Sequence, residues 1–365
     1  MSLRCGITGI ANVGKTTIFN CLSSTRAESS RNAFTSTRSN IGLINVPDKR
    51  LYQLAALVKQ ENIIPATVEI VDIPGLTKGS SHGEGVGNKF LADIRNTDAL
   101  IHVLRCFDDE SLPHIDGTVD PVRDMETIEL ELLIKDLESV EKKIEKVEKV
   151  VKAGEKKLKH DLDILLRYKE HLESFQPART IMIDNQEKSV VEDLFLLTAK
   201  PVLYVCNVDE TSAINGNHYV ESVKEALREK KSDMLILAGW LEADIAELDD
   251  PEDRRAFLED AGLSEPGADR LVRSAYRMLN LISFFTYGPK EVKAWTIRQG
   301  TNVQQAAGVI HSDMERGFIR AEVIKFEDYN SLGSEHACKV AGKLSVEGKN
   351  YIVEDGDVIY IRFNV

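Results

Sequence analysis

The octapeptide Gly9-Ile10-Ala11-Asn12-Val13-Gly14-Lys15-Thr16 follows a short apolar run, Arg4–Thr8, and opens a helical pattern, TTIFNCL. It fits GxxxxGK[ST], and strand, loop and helix in that order are the context the spacing requires. The glycines let backbone N–H groups turn inward around an anion, and the helix N-terminus adds positive potential. In such a loop the lysine bridges β- and γ-phosphates and the hydroxyl binds Mg²⁺, which assigns those tasks to Lys15 and Thr16.

A strand-bound phosphate loop of this kind calls for an open parallel sheet, and the rest of the chain supplies the strands. Thr67–Asp72, Ala99–Cys106, Pro201–Cys206 and Met234–Ala238 are short apolar runs separated for the most part by helical patterns. That alternation predicts a doubly wound, mostly parallel α/β sheet, with Ser39–Val46 as an added edge strand. Asp72-Ile73-Pro74-Gly75 places an aspartate at a strand end, where it would hold Mg²⁺ through water, and the Gly75 N–H would sense the γ-phosphate. Between the loop and this strand, Phe34–Asn40 is polar. Ser36, or failing it Thr37, would complete the metal shell. Leu76 stands where Ras-like enzymes carry the glutamine that orients the attacking water, so hydrolysis is expected to be slow or to use another group. Ser81 and His82, in the glycine-rich stretch Gly79–Gly85, are candidates, a mobile surface loop being the alternative reading for His82. Asn12 could ligate K⁺ and so add charge at the transition state.

Residues 124 to 175 break the alternation. Leu130, Leu133, Leu137, Val140, Ile144, Val147 and Val151 recur at alternating steps of three and four, a heptad seam. Leu158, Leu162, Leu165 and Leu172 continue it beyond Gly154, and Pro177 ends it. The pattern predicts an antiparallel helical hairpin turning near Gly154, its first arm reaching roughly 35 Å at 1.5 Å per residue. From Lys142 to Lys159 eight lysines face three glutamates. This excess of positive charge is either a solvated face or an arm that touches RNA phosphates.

The character changes again near Leu281. Ala294–Ile297, Ile319–Phe326 and Tyr351–Phe363 read as strands, Val303–His311 as a helix, and Glu354–Asp357 as a loop, together a small α+β module. The expected layout is a nucleotide-binding domain over 1–280, interrupted by a helical insertion over 122–198, and a second domain over 281–365. Net charge is −13, from 46 basic and 59 acidic residues, which argues against a nucleic-acid coat and leaves room for a local basic patch. The five cysteines, at 5, 21, 106, 206 and 338, form no CxxC pair and read as reduced thiols. No apolar stretch approaches a membrane span and no signal peptide is evident, so a soluble, cytoplasmic protein is expected.

The run PVLYVC is followed by Asn207-Val208-Asp209-Glu210, where a guanine-reading protein would carry Asn-Lys-x-Asp. Guanine presents a ring N–H and an amino group side by side, and an aspartate accepts from both at once. Glu210 is one methylene too long, and Val208 lacks the lysine stem that covers the base. The reading is that ATP is preferred over GTP, with Val208 packed on the base and Asn207 contacting it or holding the loop.

With these residues assembled, the chain resembles the YchF family, the Obg-like ATPases of the translation-factor class of P-loop proteins. The resemblance rests on the Asn12-containing loop, DIPGL at 72–76, KGSSHGEGVGN at 78–88, NVDE at 207–210, ADIAELDD at 243–250, KEVKAWTI at 290–297, QAAGVIHSDMERGFIRAEV at 305–323 and YIVEDGDVIYIRFNV at 351–365. It covers essentially the whole chain. It implies an OBG-type G domain with an inserted hairpin, a C-terminal TGS domain of the β-grasp type, Mg²⁺-dependent ATP hydrolysis to ADP, and ribosome binding through hairpin and TGS domain on the large-subunit rRNA, with a role in translation or stress regulation and neither DNA nor membrane as partner. It also implies phosphate binding by Asn12, Val13, Gly14, Lys15, Thr16 and Thr17, metal ligation by Thr16 and Ser36, and a base contact at Val208. The chain departs from the family at Thr35–Asn40, TSTRSN, where Cys-Thr-Ile-Glu-Pro-Asn is common. It also has Ser81 where eukaryotic relatives carry a histidine implicated in catalysis, with His82 one place on. If Asn12 does ligate a monovalent cation, turnover is faster in K⁺ than in Na⁺; equal rates in the two salts would remove that role.

Overall fold

The structure is a computed structural model and describes residues 3–24, 40–75, 86–228, 230 and 232–364. Its strands are β1 (Arg4–Thr8), β2 (Asn40–Asn45), β3 (Ile63–Ile64), β4 (Thr67–Asp72), β5 (Ala99–Arg105), β6 (Val202–Asn207), β7 (Met234–Leu237), β8 (Leu281–Tyr287), β9 (Val292–Arg298), β10 (Phe318–Lys325), β11 (Leu344–Glu347) and β12 (Asp357–Phe363). Two compact units result. One is built mainly from the first 24 residues and Glu69–Ala268, the other mainly from Leu43–Val68 and Asp269–Val365.

The sheet of the first unit runs β2-β4-β1-β5-β6-β7. The pairs of β1 with β4 and β5, of β5 with β6, and of β6 with β7 are all parallel. Every residue of β5 is buried, as a strand covered on both faces must be. All five cysteines are buried and none is in a disulfide.

Between β5 and β6 runs the predicted hairpin. Its first helix, Pro121–Lys152, starts at the Asp120 cap with proline in the first turn. At 32 residues it spans about 48 Å, longer than the seam alone suggested. The chain turns through Gly154 and returns as the helix Lys159–Glu173. Leu133, Val140 and Ile144 pack against Ile164, Leu165, Tyr168 and Leu172. Three seam assignments shift: Leu130 is exposed, whereas Ile164 and Tyr168, outside the expected seam, are in the core. The start of the first helix belongs elsewhere, since Met125 sits in the core of the sheet with Leu104 and Tyr204. Asp136 is buried and accepts from the backbone N–H groups of Leu197 and Thr198 at 2.7 and 2.8 Å and from the Thr198 hydroxyl at 2.6 Å, which fastens the returning chain to the outgoing helix.

The second unit has a mixed sheet in the order β11-β10-β12-β8-β9-β3. The helix Val303–Ile310 lies on it, with Val303, Ala306 and Ala307 sharing a core with Phe284, Val323 and Ile359. Ile63–Ile64 pairs with Val292–Lys293, and Val292 N–H donates to the Asn62 carbonyl at 2.9 Å. Arg50 bridges Asp48 and Asp355. These bonds group Leu43–Val68 with Asp269–Val365 in the second unit.

His102, on β5, is 3% exposed. Burial pushes its imidazole from the ordinary 6.5 down to about 4, against the opposing charge of Glu129. The unfolded chain therefore binds this proton below about pH 6.5 while the folded chain does not, and stability falls as pH drops from there toward 4. The whole effect is on the order of 3 kcal/mol. Urea unfolding at pH 7 and 4.5 should show a His102→Gln variant losing less stability between the two than the parent; equal losses would mean that His102 does not titrate this way.

Candidate functional site

The carboxyl ends of β1, β5, β6 and β7 converge on an open cleft of about 280 Å³. At one end is the loop Gly9–Thr16, leading into the helix Lys15–Ser24. Asn12 has the positive φ of 63° that a loop curled around an anion needs, and its amide donates to the Pro113 carbonyl at 3.2 Å. Gly14, at φ 93°, leaves no room for a side chain, because a Cβ there would stand 2.3 Å from the Asn207 amide.

Lys15 is buried and its ammonium donates to the Ile10 carbonyl at 2.6 Å. Burial lowers its pKa to about 8, against the pull of Asp72. The Thr16 hydroxyl donates to Asp72 Oδ2 at 3.2 Å. Burial raises the Asp72 pKa, opposed by that hydrogen bond and by Lys15. A hydroxyl and a carboxylate this close are the hard oxygen donors that Mg²⁺ takes, so the residues present fit the ion. Gly75 comes close to the lysine: a Cβ there would lie 2.7 Å from Lys15 Nζ. Ser36, Thr37, Leu76, Ser81 and His82 lie outside the described residues.

Asn207 ends β6 and is buried. Its Nδ2 donates to the Val13 carbonyl at 2.9 Å, and its Oδ1 accepts from the Gly239 N–H at 2.9 Å. It therefore holds the loop, the second of the two tasks read from the sequence. Val208 requires a correction. Its side chain is 1% exposed and packs with Leu104, Cys106, Ala213 and Val220 in the core, so it is not free to cover a base. Val13 is likewise buried, and it offers its carbonyl to Asn207 and no side chain to the cleft. Glu210 is exposed, heads the short turn Glu210–Ser212 and does not line the cleft. Asp209 is folded back on that turn, accepting from the Ser212 N–H at 3.0 Å and from the Thr211 and Ser212 hydroxyls. Burial raises its pKa, but those bonds outweigh it and leave the carboxyl below its ordinary range.

The cleft thus brings together Asn12, Gly14, Lys15, Thr16, Thr17 and Asn207, as expected, and adds Phe107, Leu112 and Trp240. Phe107 and Leu112 belong to a loop organised by Arg105. That buried guanidinium donates to the carbonyls of Phe107, Asp109 and Leu112 and lies 4.9 Å from the Phe107 ring centroid. A charged residue closing a fully buried strand is the one feature of the sequence that could have pointed to this loop. His114, Asp116 and Asp124 cluster nearby with ligand atoms within 4.8 Å of one another. Arg123 lies 3.6 Å from Asp116 and 3.5 Å from Asp124, and His114 bonds through both ring nitrogens, so the group is an ion-pair network.

Residues 4–159 match a family model described as "50S ribosome-binding GTPase", and residues 281–364 match the YchF-GTPase_C model, described as a protein of unknown function. The Schizosaccharomyces pombe YchF GTPase structure superposes with a TM-score of 0.88 at 34% identity, over 99% of this chain and 98% of that one. Fold and site together define a P-loop nucleotide hydrolase. Over the full length of both proteins the chain is 44% identical to the ribosome-binding ATPase YchF of Bacillus subtilis and 45% identical to that of Escherichia coli O157:H7. It belongs to the YchF family.

Replacing Asn207 by Ala strands the Val13 carbonyl and the Gly239 N–H in a buried place. The expected loss is about 1–3 kcal/mol of stability, with nucleotide affinity weakened at least about tenfold because the loop is no longer held. Denaturant unfolding and calorimetry measure the two; unchanged affinity would mean that Asn207 does not set the loop.

Proposed function

We propose that this chain is a ribosome-associated ATPase that hydrolyses ATP to ADP with Mg²⁺ and prefers ATP over GTP. The relatives are named ribosome-binding ATPases, whereas the fungal structure is titled a GTPase, so base choice must be argued from the residues of this chain. One observation carries the choice. Neither carboxylate of the 207–210 loop lines the cleft: Asp209 is spent on Thr211 and Ser212, and Glu210 is exposed at the head of the next turn. Guanine's paired donors would go unmet, while adenine has no such pair to satisfy.

In this reading Thr16 and Ser36, with Asp72 through water, would hold Mg²⁺, and the ion would supply positive charge against the phosphates. Lys15 leaves the Ile10 carbonyl for the phosphate oxygens, and the Gly75 N–H, beside it, turns to the γ-phosphate. With Leu76 in place of a water-orienting glutamine, intrinsic turnover is slow; Ser81 and His82 are the groups next in line. The lysines flanking Gly154 would meet rRNA phosphates. Residues 281–365 would be the TGS module, also engaged with the ribosome, and 1–280 the G domain. The setting is the cytoplasm, and the process is translation or its adjustment under stress.

Titration calorimetry of ADP and GDP with Mg²⁺, followed by turnover with and without ribosomes, tests this. GDP is expected to bind at least about tenfold more weakly than ADP, since each unmet buried donor costs about 1–3 kcal/mol. GDP binding much tighter than ADP would make the protein a GTPase of the Obg type instead.

A further inference from the structure

Trp240 stands out among the residues of the cleft. Its neighbours Gly239 and Leu241 are buried, yet the indole is 64% exposed and lines the cleft shared by Lys15, Thr16 and Asn207. An aromatic ring of this size left in water forgoes a large apolar burial. The backbone that carries it is held in place. Gly239, one residue before it, donates to Asn207, which in turn donates to Val13, and Cys21 on the phosphate-loop helix contacts the Gly239 carbonyl at 3.9 Å. The ring is therefore mounted on the frame that fixes the phosphate loop.

The strand order sets where along the cleft it stands. The phosphate loop follows β1, and Trp240 follows β7, three strands away across β5 and β6. At roughly 4.8 Å per strand that is about 14 Å, the direction in which a nucleotide held by its phosphates extends its ribose and base.

We propose that Trp240 is the stacking platform for the purine base of the bound nucleotide, taking the covering part that the buried Val208 cannot play. The inference rests on the reading of this cleft as a nucleotide site. Stacking uses the face of the base and not its edge, so it adds affinity without choosing between adenine and guanine. The selectivity argued above must then come from the 207–210 loop.

The test is calorimetry of ADP, GDP and inorganic pyrophosphate, each with Mg²⁺, on the full chain and on its Trp240→Ala and Trp240→Phe variants. Trp240→Ala should weaken ADP and GDP by the same factor, about 5- to 100-fold, and leave pyrophosphate unchanged; Trp240→Phe should recover most of the loss. ADP should also quench the indole emission of the parent, whose other tryptophan is Trp295, and not that of Trp240→Phe. An ADP affinity unaltered in Trp240→Ala, or an equal loss for pyrophosphate, overturns the platform while the nucleotide site stands. A parent chain that binds neither ADP nor GDP overturns both.

Discussion

The carboxamide of Asn207 joins three segments that lie far apart in sequence. It ends β6, donates to the phosphate loop at Val13 and receives the N–H of Gly239, where the next strand hands over to its helix. Both halves of the amide are used and the residue is buried, so the arrangement has little freedom to relax. The empty space required at Gly14 follows from it, since the amide occupies the position a side chain would take. So does the line of the cleft, whose phosphate end and far end are set by the two bonds of one residue. A Gln at this position would carry the same groups one methylene further and could not make both bonds without moving a strand end.

That frame explains which parts of the site were legible in the sequence. The phosphate loop, Asp72 and Gly75 have fixed spacings because their chemistry depends on backbone geometry that few residues tolerate. Buried parallel strands are continuous apolar runs, and β1 and β4 fell where those runs lie. The hairpin was readable because a two-helix seam repeats. Val208 was misread for a specific reason: an apolar residue at a strand end can face either the ligand or the layer behind the sheet, and only the neighbouring helices decide. In this chain Val220 and Ala213 close over it. Trp240 itself was missed because a single aromatic side chain belongs to no period.

The second unit shows a different limit. β9 finds a partner in two residues, Ile63 and Ile64, more than two hundred positions earlier. Nothing local in that dipeptide distinguishes it from a loop, and its pairing depends on a long closure that composition does not encode. The strand β8, LISFFTY, was passed over because it follows a helix almost directly, and a short apolar run in that position reads equally as a last helical turn. The small module was therefore recognised by its later strands, and its true extent became visible only from the hydrogen bonds that reach back to Asn62 and from the bridge at Arg50.

The helix Pro121–Lys152 has one further implication. β5 and β6 are adjacent and parallel, so a crossover must join them, and such crossovers ordinarily carry a helix. The stretch around Met125 and Ile128, buried against the sheet, already fills that office. The long arm is thus not a foreign piece spliced between two strands but the outward extension of a connection that the sheet could not lack. Its root belongs to the nucleotide-binding body and only its distal turns are an appendage. Any ancestor without the arm would still have needed its first three turns.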